Sequence, residues 1–596
     1  MPAASPNSQK LDLVTVSVTI DGQALSDAIP VQSIEVTREV NKIAKAELVI
    51  LDGDPSKQEF EFQKTFVPGA AVKISLGYHQ ENETVFEGII VRVGVRIQED
   101  SHSAITVQCA DKAIKMSVSR INRYYNKQTD SNIISKIAGD AGLSKQVKAT
   151  SYSHKEVIQY NATDWDFILS RADLNGMVVV TENNKLIVEP PVVSGSAPIA
   201  LEFGKDILST DIFVDAVSQY TQVESAAWDM ASQKLTKSTS SEPSVNNQGD
   251  SSIKGKSLAD KIASPNYTMH VPSPIESSML KTWADARLLR SRLARIRGTI
   301  SCMGTSKVKP NSILAINRLS TYFTGDAYVS KVVHLVQGGH WNTEIGIGMD
   351  PQWFVESSPN VEIPSASGML PGINGLYTGV VKKIHEDPDG DTRIQVDIPV
   401  LQQSSGIWAR YGSPYATKEA GIFFMPEIGD EVLIGFLNND PSYPMVLGNL
   451  YSKKQKPPYP PDDKNSIKAI VTKNKLKVIF MDDKKNIVIE TPAGNTIKLQ
   501  DEDGKIIIKD KNNNLIEMSS SGIKMDTPKD LVITAKGKIS MEATQNISLK
   551  SSAGDVSAEG LNAKLKGQVT ATVEGAMAEL KGSGQTTVKG GIVMIN

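Results

Sequence analysis

The feature that most limits what this chain can fold into is a short repeat filling its last hundred or so residues, Ile487 to Asn596. Pairs of apolar residues two positions apart recur in lines that start at Ile523, Leu531, Ile539 and Ile547, eight residues from one start to the next. The pattern reaches back through Ile516/Met518, Ile506/Ile508, Ile497/Leu499 and Ile487/Ile489, and forward, with smaller residues, to Thr586/Val588. Residues two apart share one side of a strand, and the residues between them (Lys524, Val532, Ser540, Ser548) face the other way and are mostly polar. Glycines at 554, 560, 567, 575, 582 and 590 supply bends. A fixed period of strand plus corner predicts a β-helix or β-prism. Either one chain coils on itself, or three chains each supply one side; the second removes sheet edges by intertwining. About thirteen rungs at ~4.8 Å would make a rod of roughly 60 Å. From Met481 onward there is no aromatic, His, Cys or Arg residue, and the interior residues shrink from Ile, Leu and Met to Ala and Val.

At 596 residues the chain should hold three or four domains. A net charge of -3 gives no bulk attraction to nucleic acid or an anionic membrane. Cys109 and Cys302 are far apart in strand-like contexts, which predicts buried thiols rather than a disulfide. The start lacks the basic head and apolar run of a signal peptide, and no apolar stretch is long enough to span a bilayer. The expectation is a protein made in the cytoplasm that leaves it, if at all, by a route without a cleaved signal.

The first third reads as closely spaced strands: residues 11–20, 34–36, 46–50, 72–76, 89–97 and 105–109. Thr129-Asp130-Ser131 predicts a helix cap. Asp164 and Asp166 open a second helix, where cap and dipole roles outrank a catalytic pair. Residues 231–266, rich in Ser, Lys, Asn and Gly, predict a mobile surface loop. Within it, Gly249 to Ser257 looks like a phosphate-binding loop but has one residue too many and no preceding buried strand. Residues 277–297 predict a helix. Its arginines at 287, 290, 292, 295 and 297 read as a solvated face or, more sharply, as a contact for an acidic neighbouring ring. Strands resume at 313–316, 327–335 and 343–347, and a Pro/Ser/Gly-rich linker follows at 357–371.

After that linker come Gly375-Leu-Tyr-Thr-Gly379, Asp387-Pro-Asp-Gly390, Arg393-Ile-Gln-Val-Asp-Ile-Pro399, Trp408-Ala-Arg410, Met425-Pro-Glu-Ile-Gly-Asp430-Glu431 and Asp440-Pro-Ser-Tyr-Pro444 through Gly448-Asn-Leu-Tyr451. Five or so short strands with tight turns suit a small Greek-key barrel. These motifs, in this order, resemble the oligonucleotide-binding-type (OB) barrel of VgrG spike proteins, and of the fused hub-and-needle proteins of contractile phage tails. Asp164–Arg171 with Gly176, and Gly325–Ser330 with His334, resemble hub motifs of that family.

The resemblance implies a mainly β chain. A hub region of two barrel-like domains with a few helices would occupy 1–365, an OB-type barrel 372–452, a linker 453–470, and an intertwined triple-stranded β-helix needle 471–596. It further implies a homotrimeric spike that joins a hexameric (Hcp-like) inner tube to a membrane-piercing needle, together with baseplate proteins and, in some members, effector cargo. Type VI secretion systems, extracellular phage-tail-like particles and phages all share that plan. The ending, Ile592, Val593, Met594, Ile595 and Asn596, resembles the blunt tip that carries a PAAR-type protein.

Two other readings were weighed. A hidden cell-wall hydrolase has no Gly-x-Ser-x-Gly, metal-spaced His pair or Cys-His constellation to rest on, although a carboxylate pair distant in sequence stays open. Nucleic-acid binding would use Trp408, Tyr411, Tyr415, Phe423 and Phe424, but Glu427, Asp430 and Glu431 put acid among them. No enzyme activity, cofactor, metal or nucleic-acid partner is expected.

Overall fold

Alternating apolar and polar residues set the architecture. In the computed structural model, which describes residues 4–6, 13–98, 101–230, 232–262, 266–358, 361, 364–401 and 405–595, the chain is mainly β. It forms two compact units, Met1–Leu450 and Tyr451–Asn596.

In the first unit, strands Val31–Glu39, Lys45–Leu51, Ala71–Tyr78, Glu81–Gln98 and Ser101–Ala110 build one lobe. Strands Ile207–Val214, Ile296–Met303, Gly325–Gln337 and His340–Ile347 build a second. Alternate residues point inward, so Ile34, Leu48, Ile50, Ile74 and Ile105 are almost wholly buried. Each stabilises the fold by about 1.5–3 kcal/mol. The second lobe has its own core around Ile300, Leu314, Val329 and Ile345. The two expected lobes exist as cores, but not as two closed barrels. Val31–Glu39 runs antiparallel to Gly325–Gln337, with Val36 opposite His334, and the lobes share one thirteen-stranded sheet.

Helices α1 (Asp130–Asp140) and α2 (Asp164–Leu174) start at the expected places, capped by Thr129 and Thr163, which accept from the backbone N–H of Asn132 and Asp166; the second cap is Thr163 and not the aspartates expected to hold it. They pack with strands Val178–Glu182 and Lys185–Glu189 into a separate core.

The expected mobile loop at 231–266 is a correction. Strand Lys234–Thr239 pairs with Val223–Asp229, and helix α3 (Gly255–Lys261) buries Leu258 and Ala259. Composition reported the polar side chains and missed the backbone ladder. The phosphate-loop lookalike is spread over a single turn at Ser251–Ile253 and the start of this seven-residue helix.

The helix expected over 277–297 ends at Leu293 (α4, Ser277–Leu293), so Arg295 and Arg297 lie beyond it, and the solvated face expected of the arginines is a correction for three of the five. Arg287, Arg292 and Arg295 are buried, each bound within the chain. A short helix, α5 (Phe354–Ser357), lies in the approach to the linker.

Strands Tyr377–Lys383, Arg393–Asp397, Ile407–Tyr411, Glu431–Phe436 and Pro444–Asn449 close a five-stranded barrel around Val381, Ile394, Val396, Val432, Ile434 and Val446.

The second unit opens with Ile467–Val471, a strand inside the expected 453–470 linker. Seven strands from there to Gly522–Asp526 form an antiparallel meander, each paired with its sequence neighbour. Among the described residues no strand follows Asp526, so the lines at Leu531, Ile539 and Ile547 are extended but unpaired within one chain. A ladder needs an adjacent backbone, and eight-residue lines wound in one direction find none in a single copy.

Candidate functional surfaces

The meander's register stacks its apolar residues into two columns on one face. One runs Ile470, Val478, Ile489, Ile497, Ile508, Ile516, Met525; the other runs Phe480, Ile487, Leu499, Ile506, Met518, Ile523. Ile487, Ile497, Leu499 and Ile506 remain 37–39% exposed. On the other face Ala469 and the buried Ile479 and Val488 give way along the meander to Lys498, Ile507, Glu517 and Lys524, and Lys505 pairs with Glu517 at 3.4 Å. A continuous apolar face of this length, left open by its own chain, marks an interface. Beyond it, every residue from Leu531 to Ile595 is exposed. Ile592, Val593, Met594 and Ile595 are 85, 49, 86 and 90% exposed; Asn596 lies outside the described residues.

The hub sheet has open edges along its rim. Strand Glu81–Gln98 pairs with Ala71–Tyr78 only as far as Ile89, and past that point only with Ser101–Ala110. Ile207–Val214 pairs only with Ile296–Met303. Among the described residues nothing pairs with the outer sides of 91–97 or 207–214. These edges expose Val91, Val95 and Ile97, and Leu208 and Phe213. From the central Val31–Glu39/Gly325–Gln337 pair the sheet runs on one side through Lys45–Leu51 and Ser101–Ala110 to Glu81–Gln98, where further strands follow, and on the other through His340–Ile347 and Ile296–Met303 to Ile207–Val214, where it ends. Sequence reading found the strand at 89–97 but neither the strand Ile207–Val214 nor the pairing of either, which depends on contacts distant in sequence.

The charged residues of the hub serve its interior. Arg287 lies between the rings of Tyr267 and Trp353, 4.9 and 5.5 Å from their centres, and donates to Glu356 Oε2 at 2.8 Å. Arg290 Nη1 donates to Asp173 Oδ1 at 2.5 Å, and Arg292 binds Glu242 with two hydrogen bonds. Arg171, in the α2 motif, donates to Asp130 Oδ1 at 2.6 Å, while His154 and Asn175 engage Oδ2. Asp164 accepts from Arg123 and Gln159, while the helix cap is Thr163, which accepts from the backbone N–H of Asp166. His334 is buried against Trp341 and hydrogen-bonded to Thr343; burial, aided by Arg38, pushes it down to about 3.

Burial opposes ionisation of Asp130, but hydrogen bonds from His154, Arg171 and Asn175 and the Arg171 charge hold it at about 2, below its ordinary 3.8. A depressed carboxyl stabilises the fold fully above its unfolded value and loses that contribution as pH falls through its folded one. The gap in denaturant midpoint between wild type and Asp130→Asn should therefore be widest above pH 4 and shrink as pH falls toward 2. A gap independent of pH would contradict this account of the cluster.

Among the described residues no group of three or more His, Cys, Asp and Glu could hold a metal ion. Cys109 and Cys302 are buried free thiols, each pushed by burial to about 12. The barrel aromatics do not form one platform. Trp408 and Tyr411 are half-buried, with Tyr411 packed on the barrel core, while Tyr415, Phe423 and Phe424 stand exposed around the hairpin Ala416–Thr417/Ala420–Gly421.

This barrel, followed by a one-faced meander, defines a baseplate-type hub protein, and comparison with known proteins agrees. Residues 377–451 match the type VI secretion system/phage-baseplate injector OB domain, and residues 486–554 match the phage baseplate V C-terminal trimerisation domain. Residues 10–338, more than half of the chain, match the Alg8 N-terminal domain model, and the chain belongs to that family. It is a homologue of VgrG spike proteins. It is 21% identical over 461 residues to the type VI secretion system spike protein VgrG1b of Pseudomonas aeruginosa, covering 74% of this chain and 61% of that one. It is 33% identical over 76 residues, 12% of this chain and 7% of the other, to the actin cross-linking toxin VgrG1 of Vibrio cholerae. The chain thus spans less than two thirds of these relatives' length. The 43 kDa tail protein of prophage MuSo2 from Shewanella oneidensis aligns over 57% of this chain and 98% of its own, with 13% identity and a TM-score of 0.43.

Proposed function

We propose that this chain is the spike of a contractile injection machine, working as a trimer. Three copies would bury the exposed faces of their meanders against one another as an intertwined needle. The observation that carries this is the two-column apolar face of residues 470–525, which one chain leaves open. The trimerisation-domain match over 486–554 falls on the same strands. Three copies also present six similar lobes. Pairing of the free edge at 91–97 with the free edge at 207–214 of the next copy closes them into a ring, the symmetry a hexameric, Hcp-like inner tube would need. Needle, ring and barrel then form one mechanical part that transmits load through strand ladders. Its resistance is set by the unfolding barrier.

The role is structural rather than catalytic, and baseplate proteins and effector cargo are its further partners. The protein is made in the cytoplasm and carried out on firing. Among the described residues no helix is long and apolar enough to cross a membrane. Purified protein should seed tubes from a hexameric tube protein of the same cell, capped at one end. Tube growth unaffected by equimolar spike would count against the reading.

The exposed stretch Ile592 to Ile595, with Asn596, would seat a PAAR-type tip protein. Replacing Ile592 and Ile595 with Asp should abolish its co-purification, because two carboxylates per chain would have to be desolvated under the cap. Unchanged recovery would refute the assignment.

A further inference from the structure

Where the core of α1 and α2 meets the small sheet under α4, the hub holds an open cleft of about 1350 Å³. That exceeds the ~300–1,000 Å³ of ordinary small-molecule sites. Strand Tyr267–Val271 borders it with all five of its residues. A cavity over the face of a strand meets every second residue, and one that meets five in a row runs along an edge. That edge is free. Tyr267–Val271 pairs only with Val223–Asp229, in parallel, and the Tyr267 N–H donates to the Gln222 carbonyl at 2.9 Å. Alternate residues of a strand turn their backbone groups to alternate sides, so the N–H and C=O of Thr268 and His270 point away from that partner, into the cleft. Among the described residues no strand pairs with them. Strand Ser153–Thr163, paired only with Arg120–Thr129, brings a second free edge to the same cleft through His154, Lys155 and Glu156.

The side chains sort by the pleat. Met269 packs under α4, while Thr268 and His270 are exposed on the other face. Much of the remaining lining is apolar: Met279 and Trp353 are buried, Tyr152 and Trp283 half-buried, and Val355 is 51% exposed. The two arginines of the cleft are taken, Arg171 by Asp130 and Arg287 by Glu356. With histidines counted neutral, the other charged side chains are Glu156, Asp229 and Glu276 against Lys155 alone, so the cleft is net acidic.

We infer that this cleft receives an extended peptide segment of another protein, which adds as a strand along Tyr267–Val271. A row of unpaired backbone donors and acceptors is answered by another backbone, and the pockets beside it select alternate side chains. The acidic balance selects basic side chains and the aromatic lining apolar ones, so the fitting segment alternates the two. A linear segment can meet a free edge on either side. The hub edges of a second copy at 91–97 and 207–214 cannot, since each of those strands is already paired on its other side. The inference does not depend on the trimer reading.

The test uses the full-length protein and a fluorescein-labelled peptide alternating valine and lysine, followed by fluorescence anisotropy. Saturable binding is expected. Thr268→Pro removes an outward N–H and leaves the ladder to Val223–Asp229 intact, because proline is tolerated on an edge strand where its nitrogen faces away from the sheet. It should weaken binding at least about tenfold, and Thr268→Ala should not. The same peptide N-methylated at every amide should fail to bind the unaltered protein, which keeps the test valid whatever the proline does to folding. Equal binding of the methylated peptide, undiminished binding to Thr268→Pro, or no saturable binding of the parent peptide would each overturn the inference. So would preferential binding of a peptide of residues 531–549 of this chain, which would make a second copy the occupant.

Discussion

Substituting Ile497→Asp and Ile508→Asp together should leave single chains in solution where the wild type gives three. These residues face each other across neighbouring strands, in the middle of one apolar column. In one chain they are about two-fifths exposed, so a single copy tolerates the carboxylates. In the trimer six carboxylates would meet in a dry interior, each at an effective cost of several kcal/mol with no counter-charge from the column. The loss of six isoleucine faces adds to it, at about 1.5–3 kcal/mol for each fully buried side chain. The control is Lys498→Asp, next to Ile497 on the same strand but facing the other way, which should leave the native mass unchanged. If both variants behaved like the wild type, the meander would have no inward face. If both fell apart, charge anywhere on the unit, rather than the apolar column, would govern assembly.

The second large effect belongs to the hub. Asp173→Ala should destabilise it by about 3–5 kcal/mol, because it strands Arg290 without its carboxylate. Asp173 is buried at the end of α2. It accepts from Arg290 on α4 and from the backbone N–H of Phe354 at the start of α5, so one carboxylate joins three helices. Burial raises its pKa above the ordinary value even with Arg290 beside it, a sign of how little water reaches the site. A fall in the hub melting temperature on the order of 10 °C is expected. Adding Arg290→Ala should recover part of the loss, since the buried charge is then removed with its partner. Equal and additive losses from the two single variants would contradict the pairing.

Local rules were enough for much of this. Thr129 announced its helix because a side-chain oxygen three residues ahead of an orphan N–H is a local device; at the second helix the cap role expected of Asp164 and Asp166 belongs to Thr163. The barrel strands stood out because tight turns such as Asp387–Gly390 lie between short alternating runs. The needle's apolar columns were legible because a strand's two-residue period survives any choice of partner. The arginines of α4 were not. Their spacing fits an outer face as well as an inner one, and the residues that bury them (Glu356, Glu242, Tyr267 and Trp353) come from distant parts of the chain. Residues 234–239 hid a strand for the same reason, being polar residues that pair through backbone alone. The tip residues Ile592 to Ile595 were legible as an apolar run, and their occupant is a matter for the co-purification test.

The central claim is that an open apolar face in one chain becomes the interior of three. Native mass of the unmodified full-length protein tests it most directly, at protein concentrations from micromolar down to nanomolar. The account predicts one species of three chains that persists across the whole range, as a fully intertwined interior would. A single-chain species across that range would contradict it, and the apolar columns would then have to be covered by some other protein.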